Sequence, residues 1–139
     1  MSVLLVRHAW AGKRKEWDGD DLLRPLDERG RRQARALVDL LSEFDVDRIV
    51  SSPARRCRQT VEPLAVARGL KVEERVELSE EHQEEDGREL LEQLAGEPVV
   101  LATHGGRPWS ALAEPHRYEK GATVVLGAGL AAVRYVPAP

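Results

Sequence analysis

Residues 3–9 read VLLVRHA: four consecutive apolar residues, then a cation and an imidazole. An apolar run of this length without alternation is the pattern of a strand buried on both faces, which places it inside a parallel sheet covered on each side by helices. The run ends in Arg7-His8, so two polar side chains are delivered at the carboxyl end of that strand. The rest of the chain repeats the arrangement. Residues 47–51 (DRIVS) and 98–103 (PVVLAT) are further strand candidates, closing in Ser51-Ser52 and in Thr103-His104-Gly105-Gly106.

Helical patterns lie between the strands. Asp27 is a natural N-cap, with Glu28 favourably placed in the first turn. Ala34, Leu37, Val38 and Leu41 then give one apolar face. Ser52-Pro53 reads as an N-cap and first helical residue, opening a helix to about Ala67 with Cys57, Val61, Leu64 and Ala65 as its buried stripe and Gly69 as its stop. Residues 9–25, which carry Gly12, Gly19 and Pro25, read as a loop. Residues 71–76 are a short strand candidate, 77–88 read as acidic and irregular, and a helix near 87–95 is closed by Gly96. Another helix is expected within 107–114, and 122–127 with 130–136 suggest a terminal hairpin around GAG. The order β-α-β-α-β-α-β-α-β-β predicts an α/β three-layer sandwich with a largely parallel central sheet, as one domain over residues 1–139.

The composition, 42% hydrophobic and 32% charged, is that of a soluble globular protein. A net charge of −3 gives no global basic field, so neither nucleic acid nor a membrane is expected as a partner. The single cysteine, Cys57, cannot form an internal disulfide. The opening apolar run is too short for a signal peptide or a membrane span. These features together predict a cytoplasmic location. The excess of arginine over lysine points to a GC-rich bacterial genome.

In open α/β sheets ligands bind at the carboxyl ends of the strands. His8, Arg7, His104 and the Arg55, Arg56 and Arg58 cluster all fall at such ends. Guanidinium forks match phosphate oxygens, and an imidazole can act as a covalent nucleophile, so the pattern suggests phosphoryl transfer. There is no GxxxxGK[ST] loop, no zinc-ligand spacing and no EF-hand pattern in the acidic stretch 80–86. Catalysis without metal or other cofactor is therefore expected, with arginines supplying the positive charge. Each feature has a plainer reading. His8 could be a hydrogen-bonded core histidine, the arginines a solvated helix face, and His104 a loop residue. Cys57 sits on the apolar stripe and reads as core. Stretch 80–86 reads as solvated surface, and Trp10, Trp17 and Trp109 could be core or substrate-stacking residues.

Four blocks in order resemble the histidine phosphatase superfamily, the phosphoglycerate-mutase-like enzymes. LLVRHA resembles its RHG signature, RPLDERGRRQA the segment after it, SSPARRCRQT its Ser-Pro-x-x-Arg element, and VVLATHGG the strand bearing the second histidine. The resemblance implies that His8 becomes phosphorylated, that Arg7, Arg56 and His104 hold the phosphoryl group, and that Glu80 in LSEE, with Glu81 as competitor, is the general acid. Arg56 is preferred to Arg55 because the motif places its arginine three residues after Pro53. Ala9 replaces the usual glycine, a position that could require close backbone approach or positive φ. The short spacing between Arg56 and His104 leaves no room for a mutase-type insertion and resembles the SixA-type protein-phosphohistidine phosphatases. KRKEWDGDDLLRPLDERGRRQA together with EKGATVVL further resembles the phosphatase domain fused to Nudix hydrolases in some actinobacteria.

The expected activity is thus a phosphatase acting on a phosphorylated small molecule, a nucleotide or a phosphohistidine protein. Lys13, Arg14 and Lys15 are candidates for contacting further phosphates, the plainer reading being solvated side chains. A phosphomutase and a non-catalytic phosphate-binding module are the alternatives.

Overall fold

The computed structural model describes all residues, 1–139. Its ten regular elements are β1 (Val3–Arg7), α1 (Glu28–Leu40), β2 (Arg48–Ser51), α2 (Arg55–Arg68), β3 (Val72–Glu74), α3 (Arg88–Gln93), β4 (Val99–Thr103), α4 (Trp109–Ala113), β5 (Thr123–Leu126) and β6 (Ala132–Val136). They form a single sheet in the order β3-β2-β4-β1-β5-β6. The first four strands run parallel, and the terminal hairpin adds β5 antiparallel to β1 and β6 antiparallel to β5.

Strand periodicity sorts the core into two halves. Val3, Leu5, Val50, Leu101 and Val124 point to one face, where Leu90, Leu91 and Trp109 cover them. Leu4, Val6, Ile49, Val100 and Val125 point to the other, against Leu37, Val61 and Leu64 of α1 and α2. Both faces are covered, which is why the strands read as unbroken apolar runs. Removing one of these side chains, as in Leu5→Ala, costs roughly 2–5 kcal/mol, because close packing leaves a cavity behind. No helix is long and apolar enough to cross a membrane.

Asp27 caps α1, accepting a hydrogen bond from the Gly30 amide at 2.8 Å. Gly30 is required by space: a Cβ there would lie 1.9 Å from the carbonyl oxygen of Trp10. The buried stripe of α2 contains Cys57, Val61, Leu64 and Ala65, and Gly69 ends the helix in the left-handed region.

Three boundaries differ from the sequence reading. Helix α2 starts at Arg55 with Ala54 as N-cap; the Ser52 hydroxyl is shared between His104 at 2.8 Å and a longer 3.3 Å contact from the Ala54 amide, and the helix does not begin at Pro53. The 9–25 segment contains two single 3₁₀ turns, Arg14–Glu16 and Asp21–Leu23. The acidic stretch is more ordered than expected. Gln83–Gly87 form a π-helical turn that runs into α3, with Gln83 and Gly87 buried, while Glu81, Glu84, Glu85 and Asp86 remain exposed.

Candidate active site

Sheet register assembles the site. Arg7 of β1 pairs with Thr103 of β4, so His8 and His104 leave adjacent parallel strands side by side. The His8 amide donates to the Thr103 carbonyl at 2.9 Å, and the two rings lie edge to face with centroids 5.8 Å apart. Ser51 pairs with Ala102 on the other flank of β4, which brings Ser52 to His104. Helix α2 then carries Arg56 to the same rim.

The tautomer of His8 follows from its partner. Its Nδ1 lies 2.8 Å from the Ala9 carbonyl oxygen, which can only accept, so Nδ1 carries the proton and Nε2 holds the lone pair. Burial, reinforced by the charges of His104, Arg56 and Arg7, holds its pKa well below the ordinary 6.5. His8 is therefore a neutral imidazole near pH 7. The loop behind it is fixed through Thr60, which accepts from the Ala9 amide at 2.9 Å and donates to the Arg56 carbonyl at 2.7 Å. Ala9 has no positive φ, so alanine brings no backbone strain where the family signature has glycine.

His104 shares a 2.8 Å hydrogen bond with Ser52 through Nε2, and its Nδ1 accepts a 3.5 Å contact from Arg56 Nη2. Burial and the Arg56 charge lower its pKa to about 4. Arg7 donates to the Tyr118 carbonyl at 2.8 Å and packs against the loop after β4. A Cβ on Gly105 would lie 2.6 Å from the Arg7 guanidinium carbon, so the glycine after His104 makes room for Arg7. The buried Nε atoms of Arg7 and Arg56 have no protein acceptor.

Arg56 is 1% exposed and enclosed by carboxylates. Its Nη2 lies 2.8 Å from Glu80 Oε1 and 3.1 Å from Asp21 Oδ2, and its Nη1 donates to the Asp21 carbonyl at 2.9 Å. Arg14 reaches the same Glu80 oxygen at 2.7 Å. Burial would raise the Glu80 pKa, but the Arg14 hydrogen bond and the charges of Arg14 and Arg56 leave it lowered and the group ionised. Asp21 also holds Arg24 at 3.0 Å, and Arg24 donates to the Ala11 carbonyl at 2.6 Å.

A pocket of about 650 Å³ opens over these groups. Arg7, His8, Glu80, His104 and the candidate outer residues Lys13, Arg14 and Lys15 all line it, together with Arg24 and Lys120. Arg56 does not line it and lies behind Glu80. Arg55 is exposed, and Arg58 turns away to the Pro53 carbonyl and Glu74. Glu81 is exposed and lies outside the pocket wall. Burial pushes the Cys57 thiol up to about 12, so it is core and not a nucleophile.

The three tryptophans take three different places. Trp10 lines the pocket, with Arg29 and Lys120 over its ring at 4.3 and 4.2 Å. Trp17 lies on the surface loop, donating to the Asp20 carbonyl. Trp109 is fully buried and donates to Gln83, which in turn donates to the Gly105 carbonyl at 2.8 Å and braces the His104 loop.

Sequence reading missed Asp21, Arg24, Thr60, Gln83 and Lys120. Only Thr60 had a usable signal, one helical turn after Arg56 on the buried side of α2.

A profile of the histidine phosphatase superfamily (branch 1) matches residues 3–122. An 8-oxo-(d)GTP phosphatase from Mycolicibacterium smegmatis is 41% identical over 109 residues, covering 75% of this chain but 34% of that protein, so the chain spans about a third of its relative's length. Among solved structures, one assigned to phosphohistidine phosphatase SixA from Agrobacterium tumefaciens superposes with a TM-score of 0.78 at 25% identity, covering 98% of this chain and 97% of that one. The protein histidine phosphatase SixA complexed with tungstate gives 0.74 at 20% identity, covering 98% and 96%, which speaks to the fold.

Proposed function

The chain belongs to the histidine phosphatase superfamily, and from that premise we propose that residues 1–139 act as one phosphatase domain working through a phosphohistidine on His8. The observation that carries the reading is the neutral, oriented His8 imidazole. Its Nε2 lone pair is free while its Nδ1 proton is held by the Ala9 carbonyl. In the first step Nε2 attacks phosphorus and the bond from phosphorus to the leaving oxygen breaks. Arg7, Arg56 and His104 hold the non-bridging oxygens, with His104 taking up a proton on Nδ1 as the dianion arrives. In the second step water adds its oxygen to phosphorus. The phosphorus–nitrogen bond breaks, its electron pair returns to Nε2, and the water protons leave with inorganic phosphate. No metal or other cofactor is assigned a part.

Glu80, on the pocket wall, is the candidate acid for the leaving group; the exposure of Glu81 and its position off that wall favour Glu80 over it. Glu80 is ionised by its guanidinium contacts, so it must leave them and gain a proton before it can donate. A leaving group that is stable as an anion avoids this requirement.

For the substrate we favour a nucleotide or other small molecule carrying a second phosphate over a phosphohistidine protein. Six cationic side chains and one carboxylate line the pocket. Lys13, Lys15 and Lys120 belong to none of the ion pairs around Asp21 and Glu80, and one phosphoryl group cannot neutralise them all. The relative named as an 8-oxo-(d)GTP phosphatase supports the same class. A phosphatase is preferred to a mutase because a pocket this open does not shield the phosphohistidine from water.

The test is turnover of p-nitrophenyl phosphate, then of nucleoside mono-, di- and triphosphates and a phosphohistidine protein, by the wild type and His8→Ala. Activity that vanishes in His8→Ala is expected. Its absence in the wild type would favour a phosphate-binding module, and its retention in His8→Ala would overturn the assignment.

A further inference from the structure

We propose that Glu80 is an internal competitor for the phosphoryl seat: its carboxylate must be displaced for a phosphoryl group to reach Arg56, and its return helps to expel inorganic phosphate. The inference rests on the reading of Arg56 and His104 as phosphoryl-holding groups. Glu80 Oε1 lies 2.8 Å from Arg56 Nη2 and 3.8 Å from His104 Nδ1, and so occupies the position from which a phosphoryl oxygen would meet both. Arg56 is 1% exposed and absent from the pocket wall, while Glu80 is on that wall and 41% exposed. Reaching the guanidinium from solvent therefore means moving this carboxylate.

The two carboxylates on Arg56 are held differently. Asp21 is a fixed brace, because its own backbone carbonyl also takes Arg56 Nη1, and its second carboxylate oxygen holds the buried Arg24. Glu80 comes from the segment after β3, and the one further hydrogen bond to its carboxylate is from Arg14, itself 60% exposed. That outer contact can open without disturbing the core. A carboxylate carries less charge and fewer acceptor oxygens than a phosphoryl dianion, so it can yield to substrate yet still compete with the product.

A general acid and an internal competitor make different demands on an anion that does not react. Losing an acid leaves the affinity for tungstate unchanged; losing a competitor raises it. Tungstate binding at pH 8 is therefore measured calorimetrically on the wild type, Glu80→Gln, Glu81→Gln and Arg56→Ala, together with product inhibition by inorganic phosphate. Glu81→Gln makes the same charge change one residue away without touching the seat. Glu80→Gln is expected to bind tungstate about tenfold more tightly, about 1.4 kcal/mol, and to be inhibited by correspondingly less phosphate, with Glu81→Gln within about twofold of the wild type. If the wild type and Glu80→Gln bind alike, or both glutamines tighten binding equally, the competitor role is overturned while the phosphatase reading stands. If the wild type binds tungstate no better than Arg56→Ala, the seat itself has been misassigned and both readings fall.

Discussion

Replacing Arg56 by alanine separates a phosphoryl-holding arginine from a helix-surface one, because its neighbour Arg55 provides the matched control. Arg56 is 1% exposed and within hydrogen-bond or ion-pair reach of Asp21, Glu80 and His104, whereas Arg55 is exposed. Removing one preorganised donor to a developing oxyanion costs about 10²–10³ in kcat, or about 2.7–4 kcal/mol. Arg56→Ala also removes one of the guanidiniums that offset Asp21 and Glu80, leaving them only Arg24 and Arg14, which pushes the loss in kcat/KM toward about 10³ or beyond. The fold should suffer less. Both carboxylates are about a third or more exposed and can rehydrate, so the penalty stays below the roughly 3–5 kcal/mol of a broken, fully buried pair. Arg56→Lys keeps the charge but loses the fork and should fall between. Arg55→Ala should stay within about twofold of the wild type, as an exposed side chain with no partner. The assay is steady-state hydrolysis of p-nitrophenyl phosphate, with thermal melts followed by circular dichroism to separate folding from chemistry. A larger loss in Arg55→Ala than in Arg56→Ala would show that the arginine has been misplaced by one residue.

The pH dependence of stability follows from the two buried imidazoles. Unfolded, each takes up a proton near 6.5. Folded, His104 does so only near 4 and His8 well below its ordinary value. The unfolded state binds more protons in that window, so the melting temperature should fall as pH drops from about 6.5 toward 4, and a flat profile would contradict both assignments. Glu80→Gln should slow hydrolysis of alkyl phosphomonoesters while nearly sparing p-nitrophenyl phosphate, whose leaving group is a stable anion. Equal slowing of both, or the leaving-group pattern in Glu81→Gln instead, would remove Glu80 as the acid. Chelators should leave the rate unchanged, since the positive charge is assigned to arginines; inhibition by EDTA that added metal reverses would refute this.

The layers of the fold were legible because burial writes itself into periodicity. The continuous runs at Val3–Arg7 and Val99–Thr103 mark strands covered on both faces, and Cys57, Val61, Leu64 and Ala65 mark the inner side of α2. His8 and His104 were legible as strand-end residues, and the parallel register makes these sequence-distant residues neighbours. The loop contacts were not legible. Asp21 braces Arg56 across 35 positions, and Lys120 lies on Trp10, but neither loop carries a period that announces its partner. Ser52 had the sequence signature of a helix cap, yet a buried imidazole engages its hydroxyl and the helix starts two residues later than expected. The 80–86 stretch read as solvated because five acids dominate it. The exceptions are Gln83, buried by its bonds to Trp109 and Gly105, and Glu80, drawn in by two guanidiniums.

The most direct test of the account is to trap the phosphoenzyme. The protein is mixed with excess phosphorylated substrate, quenched within the first turnover under alkaline conditions that preserve phosphoramidates, digested and read by mass spectrometry. A phosphoryl group is expected on the peptide containing His8, stable to base, lost in acid and absent from His8→Ala. A phosphoryl group on Ser52, Cys57 or His104, or hydrolysis at the wild-type rate by His8→Ala, would contradict it.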